Sequence, residues 1–172
     1  MSSNVEGETG AVHIYKGALA AMTIRSDLSK EAQEFCKSHM ANESSHLSLF
    51  ERIVPDGKYT RLLPIWRLCG WTVGFLPTIF GGSKALYVTV EAVETFVEEH
   101  FQEQIVPLKK MGLSPELVRL LEHCCADEVH HKEDAVRHLL EGNMNIDAWW
   151  VQPWSNVVRT GSIFAASIAR RL

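Results

Sequence analysis

Two stretches, 42–50 (NESSHLSLF) and 127–135 (DEVHHKEDA), each contain Glu-x-x-His, at Glu43/His46 and at Glu128/His131. A lone glutamate stands upstream of each copy: Glu8 precedes Glu43 by 35 residues and Glu94 precedes Glu128 by 34. Residues i and i+3 share a helix face, so each copy aims a carboxylate and an imidazole in the same direction. The matched intervals read as a weak internal repeat of one helical hairpin, visible in the spacing and not in the residues between.

A carboxylate reaches the middle of a helical bundle only from an apolar stripe. Around the first copy the stripe runs Ala32, Cys36, Met40, Glu43, His46 or Leu47, Phe50 and Ile53. Around the second it runs Leu121, Cys124 or Cys125, Glu128, His131, Ala135 and Leu139. Glu94 sits among Tyr87, Val90, Val97, Phe101, Ile105 and Leu108, and Glu8 is followed by Val12, Tyr15 and Leu19. Four carboxylates facing one core demand compensating charge, because an unpaired buried carboxylate is costly. A glutamate from each of two helices plus Glu-x-x-His from two others is the ligand set of dinuclear carboxylate sites in helical bundles. Glu8, Glu43, His46, Glu94, Glu128 and His131 are therefore the candidate metal ligands.

Asp127-x-x-His130 repeats the motif one residue earlier, but its line passes through Glu116, His123, Asp134, Arg137 and Glu141, a solvated face. The register Glu128/His131 is preferred. Glu91, Glu98 and Glu99 compete with Glu94; Glu99 should point away, whereas Glu98 follows on the same face and is a candidate supporting group. His100, less than two turns after Glu94, is the other candidate for a position behind the ligands. His13, His39, His123, His130 and His138 are read as surface or supporting groups.

Helices are expected over about 6–24, from a Ser29 N-cap to about 54, from after Ser83 to about 110, from a Ser114 cap to about 141, and over 155–172. Pro55, Asp56 and Gly57 supply a break, Gly112 and Gly142 supply stops, and Pro115 suits a first helical position. The fold class implied is all-α: a ferritin-like four-helix bundle with a hydrophobic crossover and an extra C-terminal helix. Residues 1–172 read as one domain, with hairpins 6–54 and 83–141, a crossover at 59–82 and a last helix at 155–172.

At 172 residues and 46% hydrophobic content, the chain can bury a core without covalent staples. A net charge of −4 and the absence of a basic block argue against nucleic acid as a partner. Cys36, Cys69, Cys124 and Cys125 form no C-x-x-C pair and read as free thiols in a reducing compartment. The first residues show neither an apolar core of a signal peptide nor an Arg-rich stretch, so none of these targeting segments is expected.

Residues 62–80, LLPIWRLCGWTVGFLPTIF, are too apolar for an exposed loop, yet Pro64, Arg67, Gly70, Gly74 and Pro77 interrupt them. The segment is short and charged for a spanning helix. Trp66, Trp71 and Phe75, with Arg61, Arg67 and Lys84 nearby, suit an element lying in a membrane interface. Trp149, Trp150, Trp154, Ile163, Phe164 and Ile168, followed by Arg170 and Arg171, add a second apolar stretch.

Taken together, GETGAVHIYKG (7–17), NESSHLSLF (42–50), LLPIW (62–66), AVETFVEEHFQEQI (92–105) and DEVHH (127–131) give a chain that resembles the demethoxyubiquinone hydroxylase family along its whole length. The resemblance implies two iron ions held by Glu8, Glu43, His46, Glu94, Glu128 and His131, O2 as co-substrate and electrons ultimately from NADH. It implies ring hydroxylation of a polyprenylated demethoxyubiquinol, at a membrane surface on the inner face of the bacterial cytoplasmic membrane or the matrix side of the mitochondrial inner membrane. A homo-oligomer or a lipid-binding protein partner is compatible with it. The chain departs from the family pattern at Thr9, Phe101 and Cys125-Ala126, none of them a ligand position. Two other readings stay open: a ferroxidase, and a membrane-surface interaction protein with a structural metal.

Overall fold

A computed structural model describes residues 2–54, 62–142 and 148–169. They form five helices: α1 (Ser2–Ile24), α2 (Lys30–Ile53), α3 (Leu63–Met111), α4 (Pro115–Glu141) and α5 (Val151–Ala169), with no strand among the described residues. The all-α, ferritin-like expectation holds. Ser29 caps α2 as expected, its hydroxyl accepting from the Ala32 amide at 3.1 Å. Gly112 ends α3 in the left-handed conformation, φ 64°. Ser114 precedes α4 but makes no side-chain cap; its φ of 45° is left-handed, and Pro115 leaves one fewer amide to satisfy. α1 starts at Ser2, so Glu8 lies in its second turn, and α5 starts at Val151, earlier than its expected residue 155. The Pro55–Gly57 break, the start of the crossover at 59–61 and the expected helix end at 170–172 lie outside the described residues.

The order of two apolar layers along each helix fixes the topology. One layer takes Tyr15, Met22, Phe35, Leu86, Tyr87, Val90, Ala135 and Leu139. The other takes Val5, Phe50, Val54, Phe101, Ile105, Val118 and Leu121. α1 and α4 therefore run from the second layer to the first, while α2 and the later half of α3 run from the first to the second. On every one of the four helices the candidate ligands fall between the layers. α2 ends in the second layer and the later part of α3 must begin in the first, so the chain has to cross the full bundle length between them.

That crossing is helical, which corrects the reading of 62–80 as broken by Pro64, Gly70, Gly74 and Pro77; the expected helix start after Ser83 agrees with the backbone break at Gly82, where the second part of α3 begins. Pro64 stands at the helix start, where a missing amide costs nothing. Residues 63–81 span roughly 28 Å as a helix, enough for the passage. The chain then reverses at Gly82, whose φ of 69° and ψ of −159° only glycine adopts readily. Gly70 and Gly74 do not break the helix; they let it lie on α1. A Cβ on Gly70 would stand 2.4 Å from the Gly10 carbonyl oxygen, one on Gly74 1.8 Å from that of Ile14, and one on Gly17 2.0 Å from that of Trp71. Backbone meets backbone here, and the crossover runs parallel to α1.

α5 closes the outer side. Val158 packs with Ile14, Ala92 and Val93, the Trp154 indole donates to Thr89 Oγ1 at 2.8 Å, and Arg159 reaches both oxygens of Glu99 at 2.6 and 2.8 Å.

The glycine contact makes a stability prediction. Gly74→Ala forces a methyl into a carbonyl and should lower the midpoint of thermal unfolding by on the order of 5–10 °C. Gly161→Ala, at an exposed helical glycine with open space around it, should leave the midpoint unchanged or raise it. Circular dichroism melts of the two variants check the pair.

Candidate metal centre

The four bundle helices bring all six candidate ligands to one place. Glu8, Glu43, His46, Glu94, Glu128 and His131 are each no more than 4% exposed. Their ligand atoms form two overlapping groups in which all atoms lie within 4.8 Å of one another: Glu8, Glu43, His46 and Glu128, and then Glu43, Glu94, Glu128 and His131. Glu43 and Glu128 belong to both groups, while each group has one further glutamate and one histidine. Such an arrangement could hold two neighbouring ions.

The residues also fit such ions chemically. Glu43 Oε1, Glu94 Oε2, Glu128 Oε2 and His131 Nδ1 are buried without a hydrogen bond of good geometry, the nitrogen meeting the Glu43 and Glu128 oxygens only as close ion-pair contacts. Four buried polar atoms in one spot so poorly satisfied are rare in a native core and call for an explanation. His131 Nδ1 lies 3.0 Å from Glu43 Oε1 and 3.3 Å from Glu128 Oε2, and His46 Nδ1 lies 3.1 Å from Glu128 Oε1. Carboxylate oxygens and imidazole nitrogens are the donors that suit divalent iron, manganese or zinc.

Electrostatics tell the same story. Burial, followed by the charges of Glu43 and Glu128, pushes the Glu8 carboxyl well above the usual range. Burial and the charge of Glu128 do the same to Glu94 and raise Glu43. Burial alone would raise Glu128 too, but contacts from His131 and His46 outweigh it and hold it at about 2. The converse holds for His131: burial would lower it, and the carboxylates of Glu128 and Glu43 drive it up to about 11. Burial and mutual repulsion thus favour the proton-bound forms of Glu8, Glu43 and Glu94, so a cation entering the cluster would compete with protons for it.

Groups behind the ligands come mostly from residues that sequence patterning put on solvated faces. Asp127 Oδ2 accepts from His46 Nε2 at 3.0 Å. His39, only 4% exposed, sets its ring edge-to-face with His131 at 4.2 Å between centroids and hydrogen-bonds Asp134 Oδ2 at 2.9 Å. Tyr15 donates to Glu94 Oε1 at 3.4 Å and stacks on His39. His39 lies one turn before Glu43, a spacing that places it on the ligand face. Asp127 and Asp134 carry no such signal, since both leave α4 at its edge and reach sideways to α2. Glu98 is a third exposed and pairs with Lys132, and Glu99 pairs outward with Arg159. His100 is buried, within 3.3 Å of Ser3 Oγ and stacked on Phe96. All four cysteines are free thiols, as expected.

A four-helix bundle whose middle layer gathers two copies of Glu-x-x-His and two single glutamates belongs to the ferritin-like class. Within that class the chain belongs to the family described as ubiquinone biosynthesis protein COQ7, whose model matches residues 1–169. A mitochondrial NADPH-dependent 3-demethoxyubiquinone 3-hydroxylase of Dictyostelium discoideum is 31% identical over 169 residues, covering 96% of this chain and 73% of the relative. The Caenorhabditis elegans protein of the same description is 25% identical, covering 96% of this chain and 85% of its own length. A 3-demethoxyubiquinol 3-hydroxylase of Rhodospirillum rubrum is 36% identical over 101 residues, covering 57% of this chain and 45% of the relative.

The register of α4 can be tested by metal content. After loading with Fe²⁺, His130→Ala should hold as much iron as the unaltered protein, because His130 is exposed, whereas His131→Ala should lose at least one ion. Equal iron in both, by elemental analysis, would remove His131 from the site.

Proposed function

We propose that the chain is a di-iron monooxygenase that hydroxylates the ring of a polyprenylated demethoxyubiquinol. The observation that carries this reading is the six-residue buried cluster, four of whose polar atoms lack a well-formed hydrogen bond, in a member of a ubiquinone biosynthesis family. When bound, two iron ions supply reduction and cleavage of O2, with electrons from a reduced nicotinamide. NADH is the expectation from the sequence, and the names of the Dictyostelium and Caenorhabditis relatives specify NADPH.

The protein's own part is geometric and electrostatic. Glu43 and Glu128, common to both groups, would serve either ion, with Glu8 and His46 holding one and Glu94 and His131 the other. Four carboxylates against two divalent ions leave the centre neutral, which removes the cost of burying it. Asp127 fixes the ring of His46, and Tyr15 and His39 brace Glu94 and His131. The apolar layers on either side, closed by Phe35, Tyr87, Phe50 and Phe101, keep bulk water from the reacting oxygen.

The test is chemical. Iron-loaded protein given a reductant, ¹⁸O2 and a short-tailed demethoxyubiquinol should yield the hydroxylated quinol carrying one labelled oxygen by mass spectrometry. A ferroxidase would consume added Fe²⁺ and leave the ring unaltered, and a structural metal would do neither.

Docking at a membrane surface follows from where a long isoprenoid chain resides. Leu68, Leu76 and Phe80 on the crossover are 65%, 43% and 83% exposed, and with Ile65 they follow helical spacing along one outward face. Trp66, Trp71 and Phe75, the residues first expected at the interface, are half-buried, with Trp71 and Phe75 stacked at 4.4 Å. α3 contains the one stretch among the described residues long and apolar enough to cross a membrane, but more than half of that stretch is buried in the protein. Only an outer face is left for lipid, which favours lying on the membrane over spanning it. Changing Leu68, Leu76 and Phe80 together to serine should reduce sedimentation with liposomes at least tenfold while iron content stays constant. Unchanged sedimentation would assign that face another role.

A further inference from the structure

The two halves of the cluster are not equivalent, and the difference lies behind the histidines. His46 turns Nδ1 to the cluster, 3.1 Å from Glu128 Oε1, and Nε2 to Asp127 Oδ2 at 3.0 Å. With the Nε2 proton given to a carboxylate, the Nδ1 lone pair faces the site, its ring orientation is fixed and its basicity is raised. His131 likewise turns Nδ1 to the cluster, but its carboxylate contacts are Glu43 and Glu128, both cluster members. Among the described residues no outer carboxylate lies against it; its neighbour there is the ring of His39. The register position that matches Asp127 in the other copy of the motif is Asn42, a neutral amide. Glu94, the glutamate of the His131 half, already gives one oxygen to the Tyr15 hydroxyl at 3.4 Å. An oxygen engaged by a donor is a weaker ligand.

We infer that the Glu8/His46 half is the tighter of two unequal metal sites and fills first, and that Asp127 is the positioning residue that sets this order. The inference rests on the di-iron reading above. Outer carboxylates of this kind typically change metal affinity by about 10- to 100-fold, so two well-separated binding steps follow. The consequence is sequential loading: the shared carboxylates Glu43 and Glu128 are first organised by one ion and then receive the second.

The test is titration of the metal-free, full-length protein with Co²⁺, read by visible absorption and calorimetry, independently of any turnover. The expected result is two resolved steps of one ion each. His46→Ala should abolish the tight step, and His131→Ala should abolish the weak step and keep the tight one. Asp127→Asn, which preserves size and hydrogen bonding to His46 but removes the charge, should weaken the first step by 10- to 100-fold and leave the second within about threefold. Far-ultraviolet dichroism confirms that each variant is folded. A single step for two equal ions, loss of the tight step in His131→Ala, or an unaltered first step in folded Asp127→Asn overturns the inference while sparing the di-iron reading. Absence of any Co²⁺ uptake by the unaltered protein overturns both.

Discussion

Four glutamates buried in one layer of a helical bundle are the constraint around which the rest of this protein is arranged. Carboxylates with no charge to meet them either take up protons or unfold the core, and here burial pushes Glu8, Glu43 and Glu94 toward the neutral form. Only Glu128, between two histidines, is held ionised. The apolar layers on both sides pull the helices together across this layer, since Tyr15, Leu86, Phe50 and Leu121 have nowhere else to bury their surface. Burial of apolar surface is thus concentrated toward the ends of the bundle, and the middle is left polar, as a cluster that could hold a metal ion.

The buried cluster of candidate ligands could be read from spacing because two periodicities agree. Within each motif, i and i+3 place carboxylate and imidazole together; across the chain, near-equal intervals place two hairpins in the same register. The apolar stripes on α2, α3 and α4 then decide rotation, and Glu128 over Asp127 follows from its neighbours Leu121, Cys124 and Ala135 alone. Asp127 shows where this reasoning stops. A residue one position off the stripe looks solvated by pattern, yet it reaches around α4 to His46, and nothing in the sequence announces a contact between helices 81 residues apart. Asp134 and His39 make the same point from the other side of the cluster.

The helical course of the crossover is hidden in the sequence for a related reason. Proline and glycine carry one meaning as local breakers and another as packing residues, and sequence alone favours the first. Pro64 is harmless because it begins a helix, and Gly70 and Gly74 are required because a carbonyl of α1 occupies the space of a side chain. Gly82 alone acts as a true break, and it reverses the chain. Three glycines of the segment thus serve two opposite purposes, which only the partner helix distinguishes.

This arrangement gives α1 a double duty. Its inner face carries Glu8 and Tyr15 into the cluster, and its outer face offers Gly17 and the carbonyls of Gly10 and Ile14 to the crossover. Ordinary side chains hold helix axes about 8–10 Å apart; glycine contacts bring backbones closer than that. The crossover, with its apolar outward face, is therefore held directly against the backbone of the helix that carries Glu8 and Tyr15. On the reading proposed above, in which a lipid-borne ring would have to reach the buried cluster, that close coupling between the two helices would matter more than a large cavity. The glycines of α1 and α3 supply it, so a methyl group at Gly74, which is not itself a candidate ligand, would displace the helix that carries Glu8 as well as the crossover.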